Sequence, residues 1–163
     1  MTTLTVWKFD NESGADAAIE KLKQLQKQEL IQVFDAAVVK WPEGRNKPKT
    51  NQAYNLVGSG ALGGAFWGLL FGLIFFMPFL GAAVGATVGA LSGYFSDYGI
   101  DDDFIKNLRD KVTKGSSALF LLTGQVTVDK VRDSFEDELD HAQLLQSNLS
   151  KEQEERLRED FGA

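Results

Sequence analysis

Residues 56–95 read LVGSGALGGAFWGLLFGLIFFMPFLGAAVGATVGALSGYF, and their reading decides the organisation of the chain. The only polar side chains in them are Ser59, Thr87, Ser92 and Tyr94, and no Asp, Glu, Lys, Arg or His occurs from Thr50 to Ser96. A bilayer's hydrocarbon core is about 30 Å thick and takes about 20 apolar helical residues to cross, so the run is long enough to cross twice or to enter and return. Pro78, within Phe75-Phe76-Met77-Pro78-Phe79, lacks an amide hydrogen and obstructs the preceding turn. It therefore divides the run into two arms with an apolar tip. A tip without polar residues suits a position at the far interface or inside the bilayer.

The glycines of the two arms are ordered. Gly60, Gly64, Gly68 and Gly72 recur every four residues in the first, and Gly81, Gly85, Gly89 and Gly93 in the second. Each series lies along one stripe of a helix. The series mirror each other about the Phe76–Met77 junction, so in an antiparallel hairpin each glycine lies level with another. Such small-residue stripes let backbones approach closely in lipid, where packing drives association. Ala82, Ala86 and Ala90 form a second stripe on the second arm, which predicts a second neighbour, a hairpin of another protomer. The first arm carries Phe66, Trp67, Leu69, Leu70, Phe71, Leu73 and Ile74, a bulky surface that lipid or a partner is expected to cover. A helix pair buried in a soluble protein competes with this reading, but a core helix rarely runs about 20 residues without a polar face. Gly58-Ser59-Gly60-Ala61-Leu62-Gly63 matches G-x-G-x-x-G by glycine density alone: the next carboxylate is Asp97, too far on to serve a ribose, and no lysine follows as a phosphate loop requires.

The remainder of the chain is different material. The 163 residues hold 17 Lys+Arg against 23 Asp+Glu, a net charge of −6 carried wholly outside the insert. That balance argues against a nucleic-acid partner. With no cysteine, thiolate metal sites, disulfide frameworks and thiol nucleophiles are excluded.

Before the insert, Leu4 to Phe9 reads as a strand, Ser13 as the cap of a helix using Ala15, Ala18, Ile19, Leu22 and Leu25, and Val33 to Trp41 as a second strand. Lys47 to Tyr54 reads as a short polar return strand. After it, Asp97 to Ile100 is a turn, and Asp101 opens an amphipathic helix through Val112. Ala118 to Leu122 is an apolar run suited to a central strand. Thr127 or Asp129 starts another helix, Ala142 to Leu149 a last strand, and Ser150-Lys151-Glu152-Gln153 is a capping box before a charged terminal helix. This order is that of an α+β, ferredoxin-like split βαβ sandwich interrupted by a transmembrane or re-entrant hairpin. The divisions are residues 1–54, the insert 55–96, and 97–163. Helices on one face of a four-stranded sheet would leave the other face free as a docking surface.

No catalytic site is expected. His141 has no partner motif, and Asp97, Asp101, Asp102 and Asp103 read as carboxylates at a helix start rather than as a cation site. No cofactor or metal follows from these residues, and the arms hold no ionisable group for proton or ion transport.

The stretches Gly60-Ala61-Leu62-Gly63-Gly64-Ala65-Phe66-Trp67-Gly68-Leu69-Leu70, Ala90-Leu91-Ser92-Gly93, Ser96 to Phe104, Gly115 to Leu122 and Leu149 to Glu154 resemble the bacterial family known as domain of unknown function 1269. The resemblance implies bacterial origin and a membrane location, and no reaction. Together with Arg45, Lys47 and Lys49 ahead of the insert, it places the protein in the bacterial inner membrane with its soluble parts in the cytoplasm. The expected function is that of a non-enzymatic, membrane-anchored homo-oligomer in contact with lipid, whose hairpins assemble and whose soluble domain is an interaction or scaffolding surface. A pore formed by the hairpins, or small-ligand sensing by the soluble domain, are the alternatives.

Overall fold

The computed structural model describes residues 2–53, 56, 62–76, 95–138 and 142–162. In chain order the elements are β1 (Thr2–Phe9), α1 (Gly14–Lys27), β2 (Val33–Lys40), β3 (Lys49–Gln52), α2 (Gly64–Phe71) with a π-helical turn at Gly72–Phe76, α3 (Asp102–Lys111), β4 (Ser117–Gly124), α4 (Gln125–Glu138), β5 (Gln143–Leu149) and α5 (Lys151–Phe161). The fold is α+β. Its five strands form one sheet in the order β3-β2-β4-β1-β5, every neighbouring pair antiparallel. Each strand, and each helix outside the insert, falls where periodicity and capping place it to within a few residues.

The sheet is apolar on both sides because its central strands are. In β4, Leu119 and Leu121 point to one face and Ala118, Phe120 and Leu122 to the other, all buried. In β1, Trp7 and Phe9 alternate with Leu4 and Val6 in the same way. One face is covered by α1 and α4, whose Ile19, Leu22, Val131 and Phe135 pack on Trp7, Phe9, Leu119 and Leu121. Phe135 meets the Trp7 ring edge-on at 5.0 Å.

The other face is not free. Residues 62–76, the latter part of the apolar first arm, lie across it with α3, the Phe95–Ile100 turn and α5. Phe66, Trp67, Leu70, Phe71, Leu73, Ile74 and Phe75 are each 3 % exposed or less. The bulky surface expected to need lipid or a partner is covered by the protein's own sheet. The vacant docking face expected of this sheet is therefore absent. The physical reason lies in β4: an apolar run on both faces demands a second covering layer, and the arm supplies it. No helix among the described residues is long and apolar enough to cross a membrane.

One cap differs from its sequence reading and two match it. Ser13 stands at the N-cap of α1, but its hydroxyl donates to Asn11 Oδ1 (3.2 Å). The amide of Ala15 instead donates to Ser117 Oγ of β4 (3.0 Å), so the sheet itself caps the helix. Asp101 caps α3 through Phe104 N (2.9 Å), and Ser150 and Gln153 form the capping box of α5.

The helix α5 is latched onto the arm side. Leu157 is buried, the Tyr98 hydroxyl donates to the Asp160 carboxylate, and the Phe161 ring lies 5.8 Å from Tyr98 and 5.7 Å from Phe66. Gly99 makes the turn beneath it with φ +88°, and a Cβ there would sit 2.8 Å from Gln153 Oε1 and 3.0 Å from Asn148 O. Gly99→Ala is expected to lower stability by at least about 1–2 kcal/mol, the cost of left-handed backbone for an L-residue, in a urea unfolding titration.

Candidate functional site

The candidate site is the arm, residues 62–76, with the polar groups that fix it. An apolar helix on an apolar sheet gains area in many registers, so directional bonds at its ends decide its position. At its start, Leu62 N donates to Asp35 Oδ2 (2.8 Å) and Leu62 O accepts from Gln52 Nε2 (3.2 Å). Gln52 Nε2 also reaches both Asp35 oxygens at 3.1 and 3.3 Å, and Ala36 N donates to Oδ1 at 2.8 Å. Asp35 is fully buried, and its carboxylate is satisfied by neutral donors alone among the described residues. It faces the arm because β2 shifts register between Val33 and Asp35, which sets Phe34 and Asp35 on the same side. Gly63 N donates to Phe161 O (2.7 Å), tying the same point to α5.

At the far end, Arg109 of α3 donates from Nη2 to Leu73 O (2.8 Å) and from Nε to Ile74 O (3.1 Å). These carbonyls fall in the π-helical turn, where a helix end leaves acceptors free. A carboxylate near the helix N-terminus and a guanidinium at its C-terminus both complement the helix dipole. The arm thus runs from Asp35 to Arg109 with each end held by the favourable charge.

Between the ends the arm has two unlike faces. The inner face is aromatic: Trp67 stacks on Phe71 at 5.7 Å, and Phe71 meets Phe120 of β4 edge-on at 5.0 Å. Trp67 Nε1 is buried and has no hydrogen-bond partner among the described residues. The outer face is small: Gly64, Ala65 and Gly68 are exposed, Leu69 is 38 % exposed and Gly72 is half-buried. A Cβ added at Gly64, Gly68 or Gly72 would meet nothing within 4 Å among the described residues. Three of the glycines singled out by spacing therefore do share one face, and it points away from the domain. Gly60, Gly81, Gly85, Gly89 and Gly93, Ala82, Ala86 and Ala90, and Met77, Pro78 and Phe79 of the tip lie outside the described residues. So does His141, and of Phe76 only the backbone is described. Phe75 is buried against Trp41, the rings 6.1 Å apart and perpendicular.

The acidic residues are spread over separate tasks. Asp101 caps α3, and Asp102 pairs with Lys106 at 3.2 Å. Among the described residues no three His, Asp or Glu side chains converge as a metal site would require. A cleft of about 430 Å³ opens between the β1–α1 and β2–β3 loops beside Asp10, Glu12 and Glu43, where Asp10 is paired with Lys8 at 2.6 Å.

Asp35, Gln52 and Arg109 escape a reading by pattern. A signal for Asp35 exists: it is the one charge inside the apolar run Val33 to Val39, and a charge in a central strand needs buried partners. Arg109 gives none, since a basic residue in the last turn of an amphipathic helix is ordinary.

A model of the family described as Protein of unknown function (DUF1269) matches residues 61–162, which include the arm, Arg109 and α5. No curated protein matches the chain, and no solved structure does.

Asp35→Ala leaves the amides of Ala36 and Leu62 and the Gln52 amide without their acceptor, and is expected to cost about 2–4 kcal/mol in urea unfolding, with faster hydrogen exchange at Leu62 N. Asp35→Asn, which keeps one acceptor oxygen, should cost less. Arg109→Met is expected to cost about 1–3 kcal/mol through the charge-assisted bonds it removes, and to speed exchange in the last turn of the arm rather than the first.

Proposed function

The chain belongs to the DUF1269 family, and we propose that it is a non-enzymatic, membrane-anchored homo-oligomeric protein whose ferredoxin-like domain carries a glycine-zipper helix pair. The ferredoxin-like reading draws on strand order. With the short edge strand β3 set aside, the sheet runs β2-β4-β1-β5, with α1 and α4 on one face, as two interleaved βαβ units require.

One observation carries the functional reading: the arm spends its bulky face on its own sheet and turns Gly64, Ala65, Gly68 and Leu69 outward. A surface chosen only to stay in water would carry charge there. A row of glycine and alanine offers little apolar area and much close backbone approach, which is the way helices associate in lipid. Gly81, Gly85, Gly89 and Gly93 repeat the same spacing, so another protomer can offer the matching stripe to this face.

Because residues 62–76 are committed to the sheet, the part of the insert left to reach the bilayer falls within 77–94. Those eighteen residues carry no charge and are too few to cross a bilayer twice, which favours a re-entrant over a transmembrane hairpin. Arg45, Lys47 and Lys49 keep the folded domain on the cytoplasmic side of the bacterial inner membrane. The assembled domains then form the interaction surface, with no cofactor required.

Gly68→Leu separates the oligomer from the fold. A Cβ at Gly68 meets none of the described residues within 4 Å, and replacing a mid-helix glycine raises helix propensity by up to about 1 kcal/mol, so the unfolding midpoint is expected to hold or rise. The mass after mild detergent extraction is expected to fall to that of a monomer. An unchanged mass overturns the oligomer. A protein that stays in the supernatant on high-speed centrifugation without detergent overturns the membrane anchor.

A further inference from the structure

We propose that the end of the domain around Trp41, Phe75 and Arg109 is a docking surface for anionic lipid headgroups, an inference that rests on the membrane reading above. Two stretches far apart in sequence carry the cations. Residues 40–49 and residues 106–114 each hold four Lys or Arg against one carboxylate, Glu43 and Asp110 respectively, in a chain whose net charge is −6.

The fold brings the two stretches to one place. Trp41 N donates to Ser116 O (3.0 Å) and Gly115 N to Trp41 O (2.6 Å), which sets Lys114 beside the end of β2. Lys49 stands opposite Lys40 in the β2–β3 register, and Lys40 opposite Ser117. Trp41 Nε1 donates to Arg45 O (3.0 Å), and the Trp41 ring meets Phe75, at the end of the arm. Arg109 binds the carbonyls of Leu73 and Ile74 at the same place, with Lys111 two residues on. The described arm therefore ends among these cations.

These cations are available. Arg45, Lys47, Lys49 and Lys114 are exposed and Lys111 is half-buried, and none of the five pairs with a carboxylate among the described residues. Lys40 is committed to Asp16 (2.6 Å) and Lys106 to Asp102. Asp10 and Glu12 line the cleft beside Pro42, Glu43 and Gly115 at the same end. Trp41 is half-buried, its indole body against Phe75 and its N–H turned to backbone, a side chain suited to the headgroup boundary. Charge alone would suit any polyanion. The uncharged sequence that follows Phe76 favours a lipid surface, where cations beside an apolar segment meet anionic headgroups within a Debye length.

The test dilutes the full-length protein from detergent onto vesicles of phosphatidylcholine alone or of phosphatidylcholine mixed with phosphatidylglycerol, and separates bound protein by flotation. Wild type is expected to favour the anionic vesicles by about tenfold or more at low salt, with the preference falling as salt rises. The variant with Arg45, Lys47, Lys49, Lys111 and Lys114 all changed to Gln is expected to lose the preference and keep its binding to phosphatidylcholine. The charge-preserving variant Lys47→Arg, Lys49→Arg, Lys111→Arg, Lys114→Arg is expected to retain it. Equal binding of wild type to both vesicles, or an undiminished preference in the Gln variant, overturns the docking surface while the anchor stands. Binding of wild type to neither vesicle overturns both. Preference for a soluble polyanion such as a DNA duplex over anionic vesicles overturns the choice of lipid.

Discussion

Leu119 and Leu121 of β4 point to one side of the sheet and Phe120 and Leu122 to the other, and all four are buried. A central strand of that composition cannot leave either face to water, so the fold has to supply two covering layers. Helices α1 and α4 form the first, reached through short connections. The second is built from what the chain carries between β3 and β4: the arm, the Phe95–Ile100 turn and α3, closed by α5. Every element on that side is placed by the need to cover the face of Leu4, Val6, Phe120 and Leu122.

Apolar covering sets the area but not the register, and the polar groups do the rest. Asp35 and Gln52 take both backbone groups of Leu62, and Arg109 takes the carbonyls of Leu73 and Ile74. Removing water from a carboxylate is costly unless donors replace it, so Asp35 in the strand and the amide of Leu62 require each other. The result is a helix with one aromatic face committed inward and one glycine face displayed. That division lets a single short segment belong to the core of a domain and also offer a close-packing surface, and the proposed assembly draws on both properties.

The elements outside the insert were legible in the sequence because each obeys a local rule. The β-forming residues of Leu4 to Phe9, spacing of three and four at Ala15 to Leu25, the apolar run at Ala118 to Leu122 and the capping box at Ser150 act within a few residues, and the structure contains all of them. The reading of the first arm as a surface awaiting lipid or a partner failed for a nonlocal reason. Composition shows that Phe66, Trp67 and Phe71 must be covered but cannot say by what, and the cover is a strand some fifty residues further on. Ser13 failed in the same way: its helix is capped from β4 by Ser117.

The sequence by itself determined the α+β class, the order of strands and helices, the uncharged glycine-rich stretch and the every-four spacing of its glycines, since these depend on residue type and distance along the chain. Only the tertiary structure decided that residues 62–76 cover the sheet, that Asp35 and Arg109 hold their ends, that Gly64 and Gly68 face outward, and that Lys114 stands beside the end of β2. Those facts depend on which distant groups share a buried volume, and a buried volume is a property of the closed fold that no local pattern contains.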